Sequence, residues 1–591
     1  MAAVTLLVVD SLEAAQLGGD ELRGEPVKGL STHCAAAEHL AARGIESSDC
    51  SELIEPGQAR LAIRNASATL DAKLCELDET VGAAMAAAAG LPRVALFHAA
   101  FKYLGQYKLA GLECFQNILA ATLTGDAYRS VRFYHAPTTS DDPVFSFLAA
   151  ARRIARDRGI VLEETAVAAT SQSPRLDWAR FVRLVAQGRR RAGSKLRRTM
   201  NRRRAQRRPR DEPSVLLLAP LEDSFFERAL AGHTRLLYAG DDGLLGVNSV
   251  SAEANRLVAR MQAIADDWLQ ANAADRSREL QRRLVAEMNR NARAWLGPLV
   301  DAHFFLRSSN VTAAAWDIPP VARPQLNLLA ELCLRSGIPV LGRQHGASYG
   351  DQDLGRIHFD SDFDRCTHFF TYGFGARELA AAYPAARPTC RFLPAGNPPL
   401  VQKQRARPVD IVFPISHRVP LLYLARMPEA ALARRQQLIL EAMDARTDLR
   451  CAVKPAPGEH MHDERLRRLR HVQVVRTPWT EYLERCAPRL VVCEVASTAM
   501  LEALPLHVDI FLMLDPLFPF SEPALEMLRK RAHVFDAAEG LAAAISAYGR
   551  APLARLRDRS YYDTYVNRGS PETVLDVLRA QPGLAVQSAT S

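Results

Sequence analysis

Residues 489–504 read RLVVCEVASTAMLEAL. The apolar run Leu490 to Cys493 has no polar face, as expected of a strand buried on both sides in a parallel sheet, and a short turn then leads into a helical pattern. Ser497 stands at the N-cap position, so the helix's first free amides and positive dipole end face outward from the strand and make an anion site. Thr498 and Glu502, four apart, share one helix face. The capping-box position is Met500, which leaves Glu502 available to accept hydrogen bonds from ribose hydroxyls, as an acid does in dinucleotide folds. The same residues also suit a capped helix with a solvated glutamate.

The pattern of a short apolar run followed by an alanine-rich helix extends along the whole chain, which points to α/β units on parallel sheets. The expected organisation is an N-terminal α/β domain (1–187), a basic linker (188–212), and two Rossmann-like domains (213–400 and 401–591) with a cleft between them. The first block opens with Val4 to Val9 and continues through the apolar run VALFHAAF (94–101), a helix over 107–123 and VRFYHA (131–136). The second begins at SVLLLAPL (214–221), with a long helical region over about 252–296, and the third at VDIVFPIS (409–416).

Ligands of open parallel sheets bind beyond the carboxyl ends of the strands. In RQHGASYGD (343–351), after the strand-like IPVLG, Gly346 and Gly350 allow close backbone approach and leave His345 at a strand end. A neutral histidine there can take a proton from an attacking hydroxyl or hold a phosphate, though it also suits a structural role. In VKPAPGE (453–459), Lys454 offers a point positive charge ahead of a proline-stiffened loop. A candidate acceptor pocket combines Arg307, Ser308, Ser309 and Asn310, read as following a strand AHFFL, with Tyr372, Gly373 and Gly375 after THFF.

The 591 residues are 48% hydrophobic and 24% charged, which excludes a disordered or fibrous chain. The net charge of +9 is local, because twelve Lys or Arg lie between Arg189 and Arg210 with no acid, and subtracting them leaves −3. That segment has no aromatic residue to stack on bases, so an anionic membrane surface suits it better than nucleic acid, as does a solvated linker. The ten cysteines show no zinc spacing and read as reduced thiols. The opening MAAVTLLVVDSLEAA reads as a first strand rather than a signal peptide, and the expected location is cytoplasmic, peripheral at the inner face of the membrane.

Taken in order, QHGASYG, THFFTYGFG, PAGNPPL, VKPAPGE and CEVASTAMLEAL resemble the GT-B glycosyltransferases of bacterial lipopolysaccharide and capsule synthesis. More distantly they resemble CDP-glycerol glycerophosphotransferases and capsular Kdo and sialic acid transferases. The resemblance covers residues 213–575 and implies two Rossmann-like domains in GT-B arrangement, with the N-terminal α/β domain added. It implies that Ser497 and Thr498 bind the donor phosphate, Glu502 the ribose, and His345 acts as base or as an acceptor-side group, with Lys454 neutralising the leaving nucleotide. The donor would be a CMP-, CDP- or UDP-linked sugar and the acceptor a glycan or lipid-linked glycan, with no cofactor and no metal. Where the family reads K-P-H-P, this chain has Ala456, with His460 and His462 just beyond. A nucleotide-sugar 2-epimerase and a catalytically silent scaffold are the alternatives on the same fold.

Overall fold

The computed structural model describes residues 4–167 and 213–580. Within these spans it excludes 11, 23–25, 33, 126–127, 136–143, 220–223, 231, 240–249, 321–322, 348, 354–358, 360, 385–387, 398–406, 417–428, 456–465 and 467. The basic linker with Arg189 to Arg210, and Ala456, His460 and His462, therefore lie outside the described residues.

Three all-parallel sheets carry the chain. The first holds β1 (Val4–Val9), β2 (Val27–Ser31), β3 (Glu46–Asp49), β4 (Tyr128–His135) and β5 (Val161–Ala166), in the order β3-β2-β1-β4-β5. The second holds β6 (Ser214–Ala219), β7 (Arg235–Tyr238), β8 (Val311–Trp316), β9 (Val340–Arg343), β10 (His368–Thr371) and β11 (Arg391–Pro394), in the order β11-β10-β9-β8-β6-β7. The third holds β12 (Arg407–Pro414), β13 (Cys451–Lys454), β14 (Val472–Val474), β15 (Cys486–Cys493), β16 (Asp509–Met513) and β17 (His533–Phe535), in the order β14-β13-β12-β15-β16-β17. The chain is thus an α/β protein of Rossmann-like units, as its alternating pattern implies.

Strand order locates the crevices. The third sheet reverses direction between β12 and β15, paired in register at Ile411 and Leu490, so ligand space opens beyond Pro414 and Cys493. The second reverses between β6 and β8, and β9 lies next to β8. Leu490, Val491, Val492 and Cys493 are all buried, which is why this run carries no polar alternation.

Two apolar runs, one of them the expected strand AHFFL, are helical. VALFHAAF lies at the start of the helix Leu96–Gly125, because the Asp78 carboxylate accepts the amides of Phe97 (2.7 Å) and His98 (3.1 Å) and so caps its first turn. AHFFL belongs to the helix Ala292–Ser308, whose buried Leu296, Leu299, Val300, His303 and Leu306 keep the helical period through Pro298. The helical region expected over 252–296 divides into Ala252–Ala271, Glu279–Arg290 and this third helix. Strands β2 and β3 were hidden by their polar, weakly alternating composition.

The last described helices, Ser560–Tyr565 and Thr573–Arg579, return from the third sheet to the second. Val574, Leu575 and Leu578 join the core made by Val215, Leu217, Phe226, Phe370 and Ala395. Among the described residues, no helix is long and apolar enough to cross a membrane.

Candidate functional site

The carboxyl ends of β9 and β10 are bound together by one buried side chain. Gln344 donates from Nε2 to the Gly346 carbonyl (2.8 Å) and accepts the Tyr372 amide at Oε1 (2.8 Å), fixing the turn that presents His345. Gly350 serves close approach, since a Cβ there would lie 2.3 Å from Phe374.

Behind His345 stands a short relay. Tyr349 Oη lies 2.7 Å from His345 Nδ1 and 3.3 Å from Nε2, and donates to Asp362 Oδ1 at 3.1 Å. Asp362 is 1% exposed and its carboxylate is 3.8 Å from His345 Nδ1, whereas the His345 side chain is 30% exposed. Burial, with the Asp362 charge, pushes the Tyr349 hydroxyl well above its ordinary value, so it remains a donor. With Tyr349 donating to Asp362, the short contact makes His345 Nδ1–H donate to Tyr349, and Nε2 is the nitrogen suited to accept a proton. Neither Tyr349 nor Asp362 was singled out in the sequence, although Tyr349 lies within the quoted motif.

The third sheet supplies the facing wall. Ser497 is the N-cap of the helix Thr498–Ala503, with extended backbone and no capping bond from its side chain. The helix has only six residues, so its contribution is the first-turn amides more than a long dipole. Glu502 lies one turn on and accepts Thr480 Oγ1 at 3.4 Å from each carboxylate oxygen. Burial raises its carboxyl to about 7, against the opposing Thr480 bond. Arg531 donates to the carbonyls of Leu504 (3.0 Å) and Leu506 (2.7 Å), holding the end of this helix.

The two walls meet. A Cβ on Gly346 would stand 3.3 Å from Thr498 Oγ1, and the Glu502 charge is felt at the Tyr372 hydroxyl. Below this junction Gln352 and Phe520 form an antiparallel bridge, and the Ser521 amide donates to the Asp351 carbonyl (2.8 Å). His345, Tyr372, Ser497, Thr498 and Glu502 are thus gathered at one cleft.

Lys454 ends β13, two strands from β15, is buried, and donates to the Pro455 carbonyl at 2.9 Å. Burial lowers its pKa from the ordinary lysine value. Arg307, Ser308 and Asn310 do not join the cleft. Arg307 and Ser308 close a helix, Ser308 Oγ bonds the Phe304 and Phe305 carbonyls, and the Asn310 carbonyl accepts the Ser214 amide. They precede β8 and so sit at the amino edge of the sheet, opposite to His345, because the expected strand AHFFL is a helix and the real strand begins at Val311. Among the described residues, no group of three His, Cys, Asp or Glu is placed to hold a metal ion.

No curated protein matches the chain. Among solved structures, the glycosyltransferase VinC in complex with DTDP is similar at 12% identity and TM-score 0.33, over 62% of this chain and 98% of its own. A glycosyltransferase from Rickettsia africae ESF-5 is similar at 12% identity and TM-score 0.32, over 63% and 98%. LpCGTa in complex with UDP is similar at 12% identity and TM-score 0.35, over 62% and 98%. In sequence, residues 321–552 match the LIC12162 family transferase, a span that includes β9 with His345 and the helix with Thr498 and Glu502.

Proposed function

We propose that this chain is a glycosyltransferase that moves a sugar from a nucleotide-activated donor to an acceptor hydroxyl in the cleft between the second and third sheets. The observation that carries the reading is the apposition of the His345–Gly346 turn to Thr498, backed by the Tyr349–Asp362 relay.

The leaving nucleotide gains negative charge as the glycosidic bond to it breaks. The amides after Ser497, the Ser497 and Thr498 hydroxyls and the Lys454 ammonium meet that charge, while Glu502 accepts from the ribose. His345 Nε2 takes the acceptor proton, and Tyr349 with Asp362 holds the ring and stabilises the imidazolium that forms. Closing the lobes excludes water that would hydrolyse the donor. The reaction runs without a metal, its charge being met by these side chains and amides.

The acceptor is a surface-polysaccharide or lipid-linked glycan, and the donor nucleotide CMP, CDP or UDP. The segment from Arg189 to Arg210 contacts an anionic membrane, each basic residue near such a surface contributing about 1 kcal/mol. The test is incubation with CMP-, CDP- and UDP-linked sugars, with and without glycan acceptors and with EDTA. Release of nucleotide coupled to acceptor glycosylation, unchanged by EDTA, is expected. Epimerised sugar with no free nucleotide would replace this reading with an isomerase.

A further inference from the structure

Arg343 occupies the carboxyl end of β9, two residues before His345. Its guanidinium carbon stands 3.8 Å over the Phe225 ring and 5.4 Å from the centre of Tyr372. Among the described residues, no carboxylate lies within ion-pair distance of it and no acceptor takes a hydrogen bond from it. Asp317, the acid that ends the neighbouring strand, has Oδ1 committed to the amides of Phe225 (3.1 Å) and Phe226 (3.4 Å). Burial works against the Arg343 charge, with the more distant Tyr372 and Asp317 in partial support and Arg228 opposed.

A guanidinium keeps its charge even when partly desolvated, and a cation held away from water without a counter-ion weakens the fold. Stacking on aromatic rings offsets only part of that cost, and it fixes the guanidinium plane. A planar fork fixed in this way, with no carboxylate among the described residues within ion-pair distance of it, suits bidentate capture of a carboxylate or phosphate. Arg343 belongs to the wall that carries His345, across the cleft from Ser497, Thr498 and Lys454. Resting on the transfer reading above, we propose that Arg343 is the anchor for a carboxylate or phosphate carried by the acceptor, which makes the acceptor an anionic glycan.

The test is calorimetric titration of the full chain with D-glucuronate, inorganic phosphate and UDP, in wild type and in Arg343→Met, Arg343→Lys and Thr498→Ala. Arg343→Met is expected to weaken glucuronate or phosphate binding by about tenfold or more, with UDP affinity within about threefold of wild type. Arg343→Lys falls between, since an ammonium cannot present the fork, and it carries the test if the Met variant does not fold. Thr498→Ala shows the reverse pattern, with UDP weakened and glucuronate unaffected. Unchanged anion affinity in folded Arg343→Met, or a wild type that binds neither anion, overturns the proposal. An equal loss of UDP affinity does so too, by placing Arg343 in the donor site. Anion binding that depends on Arg343, in a protein that releases nucleotide from no sugar nucleotide, removes the transfer reading and leaves the anion site standing.

Discussion

At the residue scale, the His345, Tyr349 and Asp362 contacts let proton transfer be tested apart from donor binding. On the proposed transfer, His345→Ala removes the group that takes the acceptor proton, so kcat should fall about 10²- to 10⁴-fold with donor KM little changed. Tyr349→Phe keeps the imidazole and loses its orienting hydroxyl, so a smaller fall is expected, together with a shifted pH–rate profile. Equal falls in the two variants would discard the relay. Glu502 supplies a second test. Its carboxyl stands at about 7 in the folded chain against an ordinary 4.5, so it holds its proton more tightly when folded. The stability this contributes is full below 4.5 and is lost as pH rises through 7. Across that window wild type should lose roughly 1–3 kcal/mol relative to Glu502→Gln in denaturant melts, and parallel slopes would refute it. Ser497, Thr498 and Glu502 were legible in the sequence because cap position and four-residue spacing are local. Asp362, seventeen residues from His345, was not, because no local spacing relates the two and only the fold brings them together. Arg343 is not legible from sequence for a related reason: its stacking on Phe225 and Tyr372 joins three separate segments of the chain.

At the element scale, the helix Pro56–Leu77 passes through one turn of π-helix, Asp78–Gly82, and a short helix, Ala83–Ala88, before the helix Leu96–Gly125 begins. The Asp78 side chain caps this last helix and also bonds His98 Nδ1 at 2.8 Å, while Lys102 pairs with Asp71. Burial opposes the His98 charge, but hydrogen bonds to Asp71 and Asp78 outweigh it and bring the imidazolium to about 9. A group raised in this way stabilises fully below 6.5, and the contribution is lost as pH rises through 9. Asp78→Ala should cost about 2 kcal/mol or more and flatten the loss of stability between those limits, as His98→Gln should also do. A steep loss persisting in both variants would place its origin elsewhere. The cap explains why the apolar run VALFHAAF is helical: the residue that starts this helix, Asp78, lies upstream and outside the run itself. Where apolar spacing stays within one element, as in β15 and its helix, the sequence was readable. Where AHFFL continued a helix past Pro298, a short apolar run alone could not distinguish the two structures.

At the scale of the molecule, two of the contacts that join the second and third sheets should fail in different ways. The three parallel units followed from the alternating pattern of the sequence. The return of residues 560–580 to the second sheet was not legible, because the spacing of Val574, Leu575 and Leu578 announces an apolar helix face without naming its partner. Leu578 is 1% exposed against Leu217 and its neighbours, so Leu578→Ala leaves a cavity and should cost about 2–4 kcal/mol. The cleft is built without it, so kcat and KM of the folded enzyme should stay near wild type. Gly346→Val acts on the other contact. A Cβ there would stand 3.3 Å from Thr498 Oγ1, and the branched side chain must push the His345 turn away from the helix Thr498–Ala503. The turn lines an open cleft, so the melting temperature should hold within a few degrees while donor KM rises and kcat falls. Activity lost in Leu578→Ala at temperatures where it is folded, or retained in Gly346→Val, would mean that the meeting of His345 and Thr498 across the cleft is not what the chemistry requires.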